Sequence, residues 1–371
     1  MLELVKRYTQ LFGPSGAEDQ VIAAFVHDML ECGLSPEVDP LGNVIVPIKQ
    51  PEPGYPLIMI SAHLDEIGVV IRSITSDGFL RVHRVGGVHD RVVPGQRFVF
   101  LSDNGTMVNG VAGVKSKHAS DAAELNQASN LDEVHIDVLA SSQEDVEALG
   151  LRVGCLGTFA PTFTSHGDRI CSKALDDRSA VAVLVQLART LSRKDFHCGV
   201  TLLATVQEEF SIRGGVPAAL AVQPDIALCL DIALATDTPE MRGAGQINVG
   251  GGVVLSGFSK AAGNGIIPNP LLVRFARQTA QQRGIPVMFG VMQGGLTDGS
   301  FMQYAGRGIP VLDLGFATRY THTAVEICSL SDLEALAALC EAMVRDVPAG
   351  FDLTRGSNAL HPDRQLELSD A

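Results

Sequence analysis

The 371-residue chain has no tryptophan, only 4 tyrosines, and 28 lysines and arginines against 42 aspartates and glutamates. Each shortage excludes something. Without tryptophan there is little basis for an aromatic platform that stacks on sugars. A net charge of −14 repels phosphate backbones and anionic membranes, so neither nucleic acid nor a membrane is an expected partner. The seven cysteines are odd in number and widely spaced and form no Cys-x-x-Cys pair, so neither a disulfide framework nor a structural zinc site is indicated. No apolar run approaches the ~18 residues of a membrane span, and Met1-Leu-Glu-Leu-Val-Lys-Arg7 lacks an export signal's apolar core. A cytoplasmic protein is expected.

What is present is a core. The chain is 46% hydrophobic with 38 glycines, which rules out a disordered or fibrous protein, and its length suggests about two domains. The first 60 residues read as helix, helix, strand, strand. Ser15-Gly-Ala-Glu18 has the form of a capping box before Ile22, Phe25, Val26, Met29 and Leu30 at helical spacing. Leu57-Ile-Met-Ile60 has the continuous apolar character of a buried parallel strand.

From about residue 70 to 162 the period changes to that of strands. Val69–Ile74 and Phe79–Val85 flank Asp77-Gly78 as a hairpin, Phe98–Leu101 and Met107-Val108 suggest another, and Val134–Leu139 reads as one more strand. Only Ser142 to Leu149 looks helical. After this block α/β alternation returns. Asp176–Leu191, Pro270–Arg283 and Leu330–Val344 read as helices, and Thr201–Val206, Ile226–Leu230, Pro286–Met292 and Ile309–Leu314 as strands. The fold class is therefore α/β, a doubly wound, mainly parallel sheet carrying an inserted β-rich domain. The expected divisions are 1–69 with 163–348, the insertion at 70–162, and a polar tail at 349–371.

Ligands bind outside the carboxyl ends of the strands in such sheets, and those ends carry the chemistry here. One strand runs into His63-Leu-Asp65-Glu66, another into Glu208-Glu209, a third into Asp231; Asp176-Asp177 open a helix, and His322 follows a fourth strand. Carboxylates crowded on one rim repel one another, and divalent cations relieve that cost. Two histidines and three carboxylates are too few for a calcium cage but suit two zinc-like ions sharing a carboxylate. A further carboxylate could act as general base, which points to metal-assisted hydrolysis.

Assembled in this way, the sequence resembles the co-catalytic metallo-aminopeptidases that form tetrahedral particles, a family with glutamyl and deblocking aminopeptidases and members labelled endoglucanase M. The stretches that carry the likeness are Ser61-Ala-His-Leu-Asp-Glu-Ile-Gly68, Val93-Pro-Gly-Gln96, Lys173-Ala-Leu-Asp-Asp-Arg178, Val206-Gln-Glu-Glu209, Pro224-Asp-Ile-Ala-Leu-Cys-Leu-Asp231 and Ala317-Thr-Arg-Tyr-Thr-His322, in order across residues 10 to 345. The resemblance implies that His63 and Asp231 hold one metal and Glu209 and His322 the other. Asp176 would bridge, being the first of the Asp-Asp-Arg pair, with Asp177 the alternative. Glu208 would be the general base, and Asp65 would orient His63 through a hydrogen bond. Zinc is expected, with cobalt or manganese acceptable. Residues 70–162 would form the dimerisation domain of a homododecamer that admits short peptides. The chain departs from the pattern at Gly294-Gly-Leu-Thr-Asp298, one residue longer than expected, which leaves Asp298 to support the site or the substrate amine. His89 stands where a tryptophan is expected, and Lys115-Ser-Lys-His118 is a loose version of Lys-Pro-Pro-His.

Three rival readings fit less well. A glycosidase needs two separated carboxylates, whereas Glu208 and Glu209 are adjacent. A serine or cysteine hydrolase would need a nucleophile elbow that is absent. A scaffold that had lost its activity would have lost part of the ligand set.

Overall fold

A computed structural model describes residues 1–121 and 129–355. Its centre is a nine-stranded sheet. The middle strands lie in the order Gly199–Thr205, Leu57–His63, Ile226–Leu234, Val311–Thr318, and all three junctions are parallel. Val44–Lys49 flanks one side antiparallel and Val253–Ala261 the other, the latter also pairing with Val287–Gln293 in parallel. The mainly parallel α/β class expected from the pattern is thus the observed one.

Side chains alternate across the strands, and both faces are covered. Ile58, Ile60, Leu202, Leu228 and Leu230 pack into the larger core with the helices Leu2–Gln10, Asp19–Glu31, Leu175–Leu191 and Leu330–Asp346. Met59, Leu203, Ala227 and Cys229 face the opposite layer, where Ala218, Ala219 and Met302 cover them. Full burial on both sides is the reason these strands read as unbroken apolar runs.

The strands Gly68–Ile74, Phe79–Val85, Arg97–Leu101, Met107–Ala112, Ile136–Asp137 and Leu156–Phe159 close into a barrel with its own core, including Phe98, Phe100 and Phe159. The chain leaves the sheet at His63 and enters the barrel at Gly68, so the two units share only a short connection there.

Four local readings are corrected. Ser15 does not cap a helix: the helix starts at Asp19 behind Glu18 without a side-chain cap, because Ser15 Oγ donates to Asp65 instead. Asp176 and Asp177 have non-helical backbone angles and stand ahead of the regular turns. The strand read over Val134–Leu139 shrinks to Ile136–Asp137, since Leu131–Glu133 forms a 3₁₀ turn before it and Leu139 is left-handed. Asp231 lies within its strand, which continues to Leu234, because the neighbour Val311–Thr318 stays paired with it to the end. Of the tail read at 349–371, residues 356–371 lie outside those described. Among the described residues no helix is long and apolar enough to cross a membrane.

One buried charge network ties helix, sheet end and barrel together. Lys173 Nζ donates to both oxygens of Glu66, at 2.8 and 2.7 Å, and Arg178 Nη2 lies 3.4 Å from Glu66 Oε1. Thr158 of the barrel donates to Glu66 Oε2, and Arg178 donates to the carbonyls of Tyr8 and Gly13. All three charged side chains are essentially inaccessible. Glu66→Ala would leave two buried cations without their counter-ion. A loss of about 3–5 kcal/mol in urea unfolding is expected.

Candidate metal centre

Register brings the site residues to one edge. His63 ends its strand opposite Thr205, so the chain beyond Thr205 reaches Glu208 and Glu209 beside it. On the other side Ser61 pairs with Cys229, so the parallel ladder puts Asp231 level with His63 two residues on. The turn before the helix Leu175–Leu191 brings Asp176 across this edge, and the loop after Val311–Thr318 brings His322.

Asp176 is at the middle. Its Oδ1 lies 3.2 Å from His63 Nε2, and its Oδ2 lies 3.4 Å from His322 Nε2. His322 Nε2 is also 3.2 Å from Glu209 Oε1. Ligand atoms of His63, Asp176 and Glu209 converge within 4.8 Å of one another, as do those of Asp176, Asp177 and Asp231, and Asp176 belongs to both groups. Asp177, the alternative bridge, instead accepts the His63 backbone N–H through Oδ2, and its Oδ1 is buried without a partner. Glu208 is 8% exposed, and among the described residues its carboxylate takes no hydrogen bond or ion pair. Asp298 makes no ion pair with either imidazole among the described residues and accepts the Thr205 hydroxyl.

The supporting contacts go beyond the sequence reading. His63 Nδ1 sits 3.2 Å from the Asp65 carbonyl and 3.4 Å from its carboxylate, so Asp65 meets the ring mainly through its backbone. The Asp65 carboxylate accepts the backbone N–H groups of Glu208 and Glu209, at 2.9 and 3.0 Å, and the Ser15 hydroxyl at 2.5 Å. Glu326, missed in the sequence, accepts the Asp176 N–H at 3.0 Å with one oxygen and the His322 N–H at 2.8 Å with the other. That bond helps hold His322 at φ 61°, a left-handed conformation costly for a residue with a side chain. The barrel also takes part: the Gly87 carbonyl lies 3.2 Å from His322 Nδ1, and a Cβ on Gly87 would come within 2.2 Å of that nitrogen. A capping-like Ser15 and a glycine pair were the only sequence traces of these roles.

The electrostatics define what the cluster lacks. Among the described residues, the cations that act most strongly on Asp176, Asp177, Glu208, Glu209 and Asp231 are His63 and His322. Burial raises Asp231 and Asp177 well above the carboxylate range, with neighbouring carboxylates adding to it. Burial opposes a charge on His322, but Glu209 and Asp176 outweigh it and raise its pKa to about 12. Burial likewise opposes ionisation of Asp176, which the two imidazoles nevertheless hold below its ordinary range. Orphaned oxygens, surplus carboxyls and imidazole nitrogens aimed at one point are the donor set that divalent cations require.

The mainly parallel sheet thus gathers this donor set at its carboxyl edge. Residues 42–339 match the model of the M42 glutamyl aminopeptidase family, and the chain belongs to that family. It is 31% identical over 349 residues to the lysyl aminopeptidase of Pyrococcus furiosus, covering 93% of this chain and 97% of that one. Among solved structures, an aminopeptidase from the archaeon Desulfurococcus kamchatkensis superposes with a TM-score of 0.87 at 34% identity, covering 93% and 94% of the two chains. The TET1 peptidase of Pyrococcus horikoshii, described as assembling into a tetrahedron or a large octahedral shell, superposes at 0.82 with 29% identity over 93% and 99%.

The surplus carboxyls make metal-free stability depend on pH. Burial pushes Asp298 up to about 6, Asp313 to about 7 and Glu326 to about 8. Each keeps its proton to higher pH folded than unfolded, so stability is lost as pH rises from the ordinary carboxylate range to those values. His322 acts with the same sign from its ordinary 6.5 upward; Asp176 acts oppositely, only in strong acid. The melting temperature of chelator-treated protein is expected to fall from pH 5 to pH 8, and divalent metal should flatten that slope in a thermal scan.

Proposed function

We propose that this chain is a dinuclear metallo-aminopeptidase that removes N-terminal residues from short peptides. The observation that carries the reading is Asp176, whose two oxygens address two different imidazoles. His63 and Asp231 would hold one cation, Glu209 and His322 the other, with Asp176 shared. Zinc suits these ligands, and cobalt and manganese accept them as well. When bound, the ions supply Lewis acidity toward the peptide carbonyl and toward water.

The protein's own groups do the rest. Glu208 is the general base: it is buried at the cluster, and no hydrogen bond ties up its carboxylate. Burial raises its pKa well above the ordinary value, so it can take a proton from the attacking water and pass it to the leaving amine. Asp65 holds Glu208 and Glu209 by their backbone N–H groups, fixing where base and ligand stand relative to His63. Gly87 closes against His322, so the barrel limits that ring's freedom.

The barrel is also the proposed dimerisation unit of a hollow homododecamer. Exposed Leu139, Val114 and Val153 give its surface apolar area to cover, and relatives of similar length are described as a dodecamer and as assembling into a tetrahedron or a large octahedral shell. An enclosed chamber would restrict substrates to short peptides, and a cytoplasmic setting is part of the same proposal.

Three measurements test this. Glu208→Gln should keep two metal ions per subunit by elemental analysis yet lose about 10²–10⁴-fold in turnover of aminoacyl anilides, since only proton transfer is removed. Asp176→Asn should lower both metal occupancies together, and loss of one alone would move the bridge to Asp177. Light scattering of the intact protein should give a twelve-subunit mass, and a stable monomer would refute the assembly.

A further inference from the structure

Beside the cluster a pocket of about 620 Å³ opens between the strands Ile226–Leu234, Val311–Thr318, Val253–Ala261 and Val287–Gln293. Asp231 forms part of its wall, so its occupant meets the proposed metal centre directly. Ile232, Ile247, Val254 and Phe289 give it apolar sides, and among the described residues no lysine, arginine or histidine lines it.

Asp313 is also among the residues that line it. In the parallel ladder Asp313 pairs with Cys229 while Gly315 pairs with Asp231, so Asp313 points from the same face, one strand across and two residues back. Strand spacing puts it roughly 8 Å from Asp231. Asp313 is 6% exposed, and its one hydrogen-bond partner is the Thr297 hydroxyl, 3.1 Å from each oxygen. Among the described residues no cationic group lies within ion-pair distance of it. One neutral donor leaves most of a carboxylate's accepting capacity unused, and a buried carboxylate without a counter-ion is costly. Asp298 is a second buried carboxyl near Asp313 but not part of the pocket's wall; it is 2% exposed, and its Oδ1 has no partner.

We infer that this pocket receives the side chain of the substrate's N-terminal residue and that Asp313 selects lysine and arginine there. This rests on the aminopeptidase reading. With the scissile carbonyl at the metal centre, the side chain descends past Asp231. The apolar walls take the methylene stem, and the terminal cation meets Asp313. An N-terminal glutamate or aspartate would bring another carboxylate into a pocket with no cation to receive it, so acidic residues are rejected.

The test compares lysyl, arginyl, leucyl and glutamyl p-nitroanilides on the metal-loaded protein. It adds thermal shifts with L-lysinamide and L-norleucinamide, which differ by the terminal ammonium. The lysyl and arginyl substrates should exceed the leucyl one at least tenfold in kcat/KM, with the glutamyl substrate hardly turned over. Asp313→Asn should cut the lysyl and arginyl values tenfold or more, mainly through KM, and leave the leucyl value within about twofold. Lysinamide should raise the melting temperature more than norleucinamide in the wild type and equally in Asp313→Asn. A wild-type preference for leucine or glutamate, equal shifts from the two amides, or a uniform loss on every substrate in Asp313→Asn would each overturn the assignment. If no anilide is cleaved while lysinamide still outperforms norleucinamide, the aminopeptidase reading fails and the cation-selective pocket stands.

Discussion

Too many carboxyls share one dry edge of the sheet, and the rest of the structure is arranged around that fact. Five acids and two imidazoles meet where the parallel strands end, and in a low-dielectric setting they cannot all carry their charges unaided. Asp176 shows how far the protein goes to concentrate negative charge, since both its oxygens are already committed to imidazoles and it still sits beside Asp177 and Asp231. Such an arrangement is unfavourable for a fold in isolation and favourable for one that binds cations.

The second requirement is that these groups hold still. Asp65 and Glu326 meet it from opposite sides, each accepting two backbone N–H groups of residues in the cluster. Ser15 braces Asp65 from the N-terminal segment, and Gly87 presses on His322 from the barrel. Behind them Glu66, Lys173 and Arg178 lock the same three regions into one body. The barrel is therefore joined to the site by contacts as well as by chain connection, and a side chain at Gly86 or Gly87 would press on Glu209 or His322. The proposed specificity pocket extends the same logic, because Asp313 is another carboxylate buried without a cation.

Much of this was legible from residue order. Continuous apolar runs leading into His63, Glu208-Glu209 and Asp231 are local patterns, and a parallel sheet brings the same ends of its strands to one rim, although Asp231 itself lies within its strand. The chain's turns were less legible. Ser15 has the form of a helix cap and serves Asp65 instead, because a hydroxyl chooses the strongest acceptor within reach and a buried carboxylate outcompetes a helix end. Glu326 had no local signal, since its role depends on two backbone groups 150 and 4 residues away.

By itself the sequence determined the fold class, most strands of the central parallel sheet and the residue types available for chemistry, because burial on both faces and the period of apolar residues are properties of short segments; it did not mark Val253–Ala261 or Leu156–Phe159. Tertiary structure alone decided that Asp176 rather than Asp177 faces both imidazoles, and that a glycine of the barrel abuts His322. It also decided that Asp313 lines a pocket with no cation. Those facts depend on which backbone segments meet in space, and register and loop conformation set that at a resolution no local pattern carries.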